Sequence, residues 1–292
     1  MKHACARSGA RKVTKHSDNH LGELRAKRVG TDRDWEKWGG NDPYFGVCSE
    51  GRFHAETMTP EARAEFFRSG EAHVERTWWD IERLFGVRFV PASVLDFGCG
   101  VGRLVIPFAR RADRVVGVDI SPAMLAEAGR NCAEAGVTGV ELIESDDSLS
   151  RVRGEFGLVH SHIVLQHIPW KRGRQIVAAL ATHVAPGGML AVQLLSGYGG
   201  SPLVRGLVRL RYVFPPANWL RNLLRGRPLF EPAMQLHVYD LDEIKTTLAA
   251  EGFFCAQVEE RLDGFSSTLL YARHIGQHKQ DAGVVGQSLD RG

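Results

Sequence analysis

Three acidic residues stand at the ends of short apolar runs, where a carboxylate can receive hydrogen bonds from a small ligand. Asp96, Asp119 and Asp146 each lie at or just beyond the carboxyl end of such a run. A carboxylate accepts two hydrogen bonds from a ribose diol, which is the chemistry we expect of Asp119. Asp146 can accept a hydrogen bond from the exocyclic amine of a purine, and Asp96 can attract an ammonium group directly or through a water.

The first of these acids precedes a turn in which glycine recurs at every second position, at Gly98, Gly100 and Gly102. Glycine has no Cβ, so a ligand can touch the backbone of such a turn. The spacing differs from the GxGxxG of dinucleotide sites, and the sequence has no GxxxxGK[ST] motif, so a pyrophosphate ligand is disfavoured. The pattern favours a ligand that combines ribose, adenine and a cationic amino-acid end.

Predicted strands and helices alternate around these residues. Strands are predicted at 94–96, 115–118, 140–143, 158–164, 189–195, 253–258 and 268–272. This alternation predicts an α/β fold, a Rossmann-like doubly wound sheet of seven mostly parallel strands. In such sheets the carboxyl ends of the strands meet at one edge, where ligands bind.

Helix boundaries are marked by capping residues. Thr59, Ser121 and Asp240 are predicted N-caps, the first two followed directly by proline. Gly136 predicts the end of the helix that Ser121 begins. Gly70 predicts a break in the helix that begins after Thr59.

Composition limits the class of protein. The chain has 292 residues, 43% apolar and 24% charged, enough for one large domain with an extension or for two small domains. The formal charge of +3 is too small to imply nucleic acid, and no apolar run is long enough to span a membrane. The N-terminus lacks the apolar core of a secretory signal. The five cysteines form no CxxC pair, so we expect no metal site, no disulfide framework and a cytoplasmic location.

The sequence divides into segments of different character. The first thirty residues carry eight Lys or Arg against two acids and predict a disordered basic arm. The next segment is rich in aromatic residues, which we expect to pack on the domain or on a bound ligand. The predicted organisation is an arm at 1–30, an aromatic and helical extension at 31–90, the sheet domain at 91–275 and a flexible tail at 276–292.

An insert follows the fifth predicted strand, at 196–234. It carries six arginines against the single acid Glu231, together with leucines at helical spacing. We expect a basic amphipathic lid over the substrate. Its arginines can hold an acidic or phosphorylated acceptor, rest on an anionic membrane surface in peripheral contact, or form a solvated helical face.

Five motifs in register resemble those of class I S-adenosylmethionine-dependent methyltransferases. Residues 95–102 (LDFGCGVG) resemble the first motif and 116–121 (VGVDIS) the second. Residues 145–147 resemble the adenine-side acids, 158–169 the fourth-strand segment, and 185–190 the turn before the fifth strand. The resemblance covers the predicted sheet domain and implies S-adenosylmethionine as the cofactor.

The resemblance also implies roles for individual residues. The three glycines would pass under the methionine part of the cofactor, and Asp119 would take the ribose hydroxyls. Ile120 and Met124 would lie against the adenine, and the backbone of Ser161 would face the amino end. Cys99 is expected to fill a small buried space. The implied cofactor-binding set is Asp96, Gly98, Cys99, Gly100, Gly102, Arg103, Asp119, Ile120, Met124, Asp146, Asp147 and Ser161.

Three histidines are candidates for a general base. Methyl transfer is an in-line displacement from an activated donor, so the protein must mainly align the acceptor, and a base is required only when the acceptor loses a proton. His167, just past the fourth strand, is the first candidate and His162, which can also lie against the cofactor, the second. His237 is the third. A hydrogen-bonded structural role is the alternative for each.

Three functions remain open from the sequence. The leading one is a methyltransferase for a small molecule or a lipid-like or acidic metabolite. The second is a nucleic-acid or protein methyltransferase, which the basic arm and insert favour mildly, although a nucleic-acid partner is disfavoured. No Asn-Pro-Pro-Tyr follows the fourth strand, which excludes one amino-methylating type but not others. The third is a non-catalytic module that binds S-adenosylmethionine and regulates a partner. The acceptor, the methylated atom and the oligomeric state are left open.

Overall fold

The computed structural model describes residues 30–198, 214–224, 229, 231, 233–262 and 265–276. Short 3₁₀ turns occur at Gly51–Phe53 and Leu165–His167. The α-helices in this part of the chain are α1 (Gly30–Asn41), α2 (Pro43–Val47), α3 (Pro60–Phe85), α4 (Val105–Ala109), α5 (Pro122–Glu134), α6 (Trp170–Ala181), α7 (Pro215–Leu224) and α8 (Leu241–Ala250). The strands are β1 (Ser93–Phe97), β2 (Arg114–Asp119), β3 (Val140–Glu144), β4 (Phe156–Ser161), β5 (Val184–Tyr198), β6 (Phe253–Leu262) and β7 (Phe265–His274).

The strands within the described residues form one seven-stranded sheet in the order β3-β2-β1-β4-β5-β7-β6. The pairs from β3 to β5 are parallel, and β7 runs antiparallel to both of its neighbours. The predicted doubly wound α/β fold is confirmed. Because β1 lies between β2 and β4, the chain order reverses at β1, and the crevice outside its carboxyl end is the expected ligand site.

The fourth strand is shorter than the sequence predicts. It ends at Ser161 rather than at residue 164, because Ile163 adopts a left-handed conformation with φ of 61°. The backbone N–H of Ile163 donates to Oε1 of Gln193 on β5 across 2.9 Å. A β-branched residue is strained in this conformation, and here a side-chain hydrogen bond from the neighbouring strand holds it.

The predicted helix caps are confirmed. The Thr59 hydroxyl accepts from the backbone N–H of Ala62, and the Ser121 hydroxyl from that of Met124, each over 3.2 Å. The Asp240 carboxylate caps α8 in the same way. These local hydrogen bonds satisfy backbone donors at the first turns of the helices, so they can be foreseen from residue type alone.

The predicted helix break at Gly70 is wrong, because α3 runs without interruption through that residue. A Cβ added to Gly70 would lie 2.3 Å from the carbonyl oxygen of Arg103, in the glycine turn. Glycine is therefore used here for close packing. Glycine costs the helix about 1 kcal/mol relative to alanine, but no larger residue fits at this position.

The aromatic segment forms α1 and α2 and packs on the domain. Its buried cluster consists of Trp38, Phe45, Phe53, Phe66, Val101 and Met124. This extension covers the edge of the sheet at which β1 and β2 end. Most of the predicted arm, much of the insert and all but the first residue of the predicted tail (276–292) lie outside the described residues. Across the helices that the structure describes, none is long and apolar enough to cross a bilayer.

Candidate functional site

The turn after β1 has the conformation that its glycines predict. Gly98, Gly100 and Gly102 have φ of 74°, 52° and 84°, a region that residues with a Cβ rarely adopt. A Cβ on Gly98 would also lie 2.3 Å from Val164, and one on Gly100 would lie 2.6 Å from Val47. The turn is thus held between the segment after β4 and the N-terminal extension, and glycine is required on both conformational and steric grounds.

Asp119, at the end of β2, is bound directly to this turn. Its Oδ2 accepts from the backbone N–H of Gly100 and its Oδ1 from that of Ser121, each over 2.9 Å. Burial raises the pKa of Asp119 to about 6, against these two hydrogen bonds, which lower it. Each oxygen keeps acceptor capacity, so the carboxylate is oriented to receive two hydroxyl groups.

A cavity of about 820 Å³, measured with its open mouth, lies outside the carboxyl ends of β1, β2 and β4. Its lining includes nine of the predicted site residues: Gly98, Gly100, Asp119, Ile120, Met124, Asp146, Asp147, His162 and His167. The six predicted residues that do not line it are Asp96, Cys99, Gly102, Arg103, Ser161 and His237.

Asp146 lies in the cavity wall, but most of its hydrogen bonds are made to residues of its own turn. Its Oδ1 accepts from Ser148, through both backbone and hydroxyl, and from the backbone N–H of Ser150. The Ser150 hydroxyl donates to Oδ2 over 2.8 Å. Burial acts to raise the pKa of Asp146, but these hydrogen bonds hold it below its ordinary value. Oδ2 therefore has the larger remaining capacity for a ligand amine.

Arg172 joins two carboxylates across the cavity. Its guanidinium donates to Asp32 of α1 over 2.7 and 3.1 Å and to Asp147 over 2.5 and 2.7 Å. Burial acts to lower the pKa of Arg172, but the two carboxylates raise it above its usual value. Sequence reasoning missed Arg172 and Asp32, because the bridge joins residues 140 positions apart.

Asp96 is buried behind the glycine turn, where it pairs with a histidine on the adjacent strand. Its Oδ1 lies 2.9 Å from Nδ1 of His160, which is opposite to it in the β1–β4 register. The Nε2 of His160 lies 3.1 Å from Nε2 of His73 on α3. Asp96 can hold the proton on Nδ1 of His160, which leaves one proton to be shared between the two Nε2 atoms. Neither histidine is part of the predicted site.

His162 connects this buried group to the cavity. Its ring lies against that of His73, with the centroids 3.7 Å apart and the planes tilted by 33°, and its Nδ1 lies 3.2 Å from Nη2 of Arg103. A guanidinium can only donate, so Nδ1 is the acceptor and neutral His162 carries its proton on Nε2. Burial lowers the pKa of His162 well below its usual value, and the neighbouring His73 and Arg103 lower it further.

His167 has the opposite proton arrangement. Its Nδ1 lies 2.8 Å from the carbonyl oxygen of Gln235 and must donate to it, so Nε2 of the neutral ring carries the lone pair. The side-chain amide of Gln166 lies 3.2 Å from that Nε2. Burial lowers the pKa of His167 to about 4, although the bond to Gln235 acts to raise it. The ring also contacts Trp35 edge to face, with the centroids 5.0 Å apart.

Of the remaining predicted residues, Cys99 and His237 have structural contacts. Burial raises the pKa of the Cys99 thiol well above its usual value, as expected of a space-filling residue. The backbone N–H of His237 donates to the carbonyl of Gln166 over 2.7 Å. Among the described residues no group of three or more His, Cys, Asp or Glu is arranged to hold a metal ion.

The family model and the relatives that match this chain are all described as methyltransferases. Residues 94–188 match the family model described as "Methyltransferase domain". Ribosomal protein L11 methyltransferase of Dechloromonas aromatica (strain RCB) is 39% identical over 101 residues, 34% of this chain and 31% of that protein. Trans-aconitate 2-methyltransferase of Deinococcus radiodurans is 35% identical over 105 residues, 35% of this chain and 38% of that protein. The chain spans about a third of the length of these curated relatives.

Solved structures share the fold. Magnesium protoporphyrin IX methyltransferase (ChlM) from Synechocystis PCC 6803, solved with bound SAH, aligns with a TM-score of 0.55 and 20% identity. The alignment covers 83% of this chain and 97% of that one, and at this identity it is a likeness of fold. The motifs, the sheet order and the family match agree: residues 94–188 match a methyltransferase domain, and the sheet that contains them has the fold of a solved methyltransferase.

Proposed function

We propose that the protein transfers a methyl group from S-adenosylmethionine to a small-molecule acceptor in the cavity bounded by the glycine turn. The observation that carries the proposal is Asp119, whose two oxygens are oriented by Gly100 and Ser121 at the cavity wall. The residues present fit the cofactor, because Asp119 suits a ribose diol and the glycine turn allows close approach to backbone.

The proposed binding roles follow the geometry. Asp119 would hold the ribose, with Ile120 and Met124 against the adenine and Oδ2 of Asp146 toward its amine. Gly98 and Gly100 would pass beneath the amino-acid part. Asp96, Gly102, Arg103 and Ser161 do not line the cavity, so we assign them the support of the turn and of His162. When bound, the cofactor supplies a methyl group activated on a sulfonium.

The chain's own contribution to the reaction is alignment and, for an acceptor that carries a proton, its removal. His167 is the proposed base, because its Nδ1–H is held by the Gln235 carbonyl and its Nε2, which accepts from the side-chain amide of Gln166, is the ring atom that can take a proton. With S-adenosylmethionine bound as the methyl donor, Nε2 of His167 would take the proton that the acceptor loses. His162 offers an N–H in place of a lone pair and would orient an oxygen.

The charge of the cavity favours an uncharged or lipid-like acceptor over an acidic one. Its described lining contains four carboxylates, on Asp32, Asp119, Asp146 and Asp147, and one guanidinium. That guanidinium, on Arg172, is already bound by two of the carboxylates. A free acid would therefore meet net negative charge. We propose that the insert 196–234 lies over this acceptor, since Gln235 just beyond it bonds to His167.

One experiment separates this proposal from its alternatives. Calorimetric titration should give heat with S-adenosylmethionine and none with NAD. Incubation with methyl-labelled S-adenosylmethionine and fractionated metabolite, lipid and protein extracts should then label a small molecule or a lipid. Label in protein would support the second candidate, for which the ribosomal protein methyltransferase among the relatives speaks. Cofactor binding without any label would support a regulatory module.

We also propose a cytoplasmic location, which the free thiols of the described cysteines support.

A further inference from the structure

Helix α7 is oriented with its polar side toward the protein. Asn218 and Asn222, one turn apart, are 6% and 1% exposed. The side-chain amides of both donate to the carbonyl oxygen of Glu231, over 2.9 and 3.0 Å, and that of Asn222 also reaches the carbonyl of Leu229. These hydrogen bonds fix which face of the helix turns inward.

The apolar side of the same helix faces outward. Leu220, Leu223 and Leu224 are 58%, 66% and 78% exposed, and Trp219 on the same face is 39% exposed. A surface helix of a globular protein normally buries its apolar stripe. A contiguous exposed patch of this kind marks a site of interaction with a partner or with a membrane.

The charge of the surrounding sequence identifies the partner. The insert carries Arg205, Arg209, Arg211, Arg221, Arg225 and Arg227, with Glu231 as its one acid. Exposed leucine and tryptophan together with arginine are the residues by which an interfacial helix enters the headgroup region of an anionic bilayer.

We propose that α7 docks on an anionic lipid surface, with Trp219, Leu220, Leu223 and Leu224 inserted at the level of the headgroups. The segment that the two asparagines bind leads from Glu231 to Gln235, whose carbonyl holds His167. Glu231, which binds the inner side of α7, is therefore four residues along the chain from Gln235, the partner of His167. If the proposed methyl transfer holds, this position suits an acceptor drawn from the lipid.

The test is sedimentation of the full chain with vesicles, which requires neither cofactor nor turnover. Vesicles of phosphatidylcholine with roughly one third phosphatidylglycerol should bind the protein, and added salt should weaken the binding. The triple variant L220S/L223S/L224S should lose binding by about tenfold or more, because three apolar side chains leave the interface. The double variant V90S/I275S, which changes two exposed apolar residues outside the insert, should bind as the parent does.

Circular dichroism and S-adenosylmethionine titration of both variants establish that each is folded, so loss of vesicle binding is separable from failure of the proposed function. Equal binding to pure phosphatidylcholine, no binding to either vesicle, or full binding by the triple variant would each overturn the proposal. Light scattering supplies a further check. A parent dimer that the triple substitution dissociates would assign the face to a second copy and would equally overturn it.

Discussion

Arg103 donates a hydrogen bond to Nδ1 of His162 over 3.2 Å, and this contact determines where the histidine carries its proton. Because the guanidinium has no acceptor, His162 presents an N–H at Nε2. His167 carries a lone pair at Nε2, where the Gln166 amide donates, because its Nδ1–H is held by a carbonyl. Both rings line one cavity, so the geometry distinguishes a donor from an acceptor at the residues that the sequence ranks as first and second candidates for a base.

The first prediction separates these two histidines. His167→Ala should lower turnover by about 10²- to 10⁴-fold with a proton-bearing acceptor and leave the Kd of S-adenosylmethionine unchanged. His162→Gln, which keeps an N–H donor, should lower turnover less. Turnover and calorimetric titration of both variants check this. Equal turnover of His167→Ala and the parent would remove His167 from the mechanism.

The second prediction concerns the pH dependence of cofactor binding. Burial raises the pKa of Asp119 to about 6. The carboxylate proposed to bind the ribose is therefore protonated as the pH falls through about 6, and one of its acceptors is then lost. The Kd should therefore increase between pH 7 and pH 5. Asp119→Ala should weaken binding by about 10- to 100-fold at pH 7.5, because a charged acceptor is removed. Asp113→Ala, an exposed acid at the other end of the same strand, is the control.

The third prediction concerns acid stability. The pKa values of His73, His162 and His167 lie below that of a free histidine, mainly because burial disfavours the charged ring. The unfolded chain therefore takes up protons first. Stability is complete above about pH 6.5 and is lost as the pH falls toward the folded pKa values. Because its pKa is about 4, His167 alone should lower the free energy of unfolding by about 2 kcal/mol at pH 5 relative to neutral pH.

Urea unfolding at pH 7.5 and pH 5.0 measures this loss. His73→Gln should reduce the difference between the two pH values, whereas His183→Gln, at a partly exposed position after α6, should leave it unchanged. The comparison uses the difference between pH values, so a general loss of stability in the His73 variant does not affect it. An unchanged difference in His73→Gln would contradict the assignment of the acid sensitivity to this group.

The fourth prediction concerns the bridge from α1 to the cavity wall. Arg172→Lys should destabilise the fold by about 1–3 kcal/mol, because a single ammonium cannot make paired contacts with two carboxylates and Asp32 is nearly buried. Hydrogen exchange of the α1 amides should accelerate. Arg174, on the same helix as Arg172, forms an exposed ion pair with Glu243 of α8. Arg174→Lys should therefore alter stability by less than about 0.5 kcal/mol. Similar exchange in both variants would exclude a special role for the bridge.

The fifth prediction concerns the packing of α3 on the glycine turn. Gly70→Ala should destabilise by about 1–3 kcal/mol, because its Cβ would lie 2.3 Å from the Arg103 carbonyl oxygen. Gly40→Ala, in α1 with nothing within 4 Å, should be neutral or stabilise by up to about 1 kcal/mol. Urea unfolding of the pair measures both. A Gly70→Ala protein as stable as the parent would contradict close packing as the reason for that glycine.

Interactions between residues close in the chain were predictable from the sequence. The glycine spacing and the acid at the end of β2 predicted the turn and its carboxylate, because both depend on backbone conformation near one strand end. The helix caps at Thr59 and Ser121 were predictable for the same reason. The alternation of apolar runs predicted the seven-stranded sheet, since periodicity reports which faces are buried.

What the tertiary structure decided are contacts between residues far apart in the chain. Asp96 faces His160 only because β1 and β4 pair in one register, and His73 joins them only because α3 packs against that pair. The bridge from Arg172 to Asp32 likewise depends on where α1 lies. Residue type states what each group can donate or accept. Which partner it meets is determined by packing of the whole chain, and no local pattern records that choice.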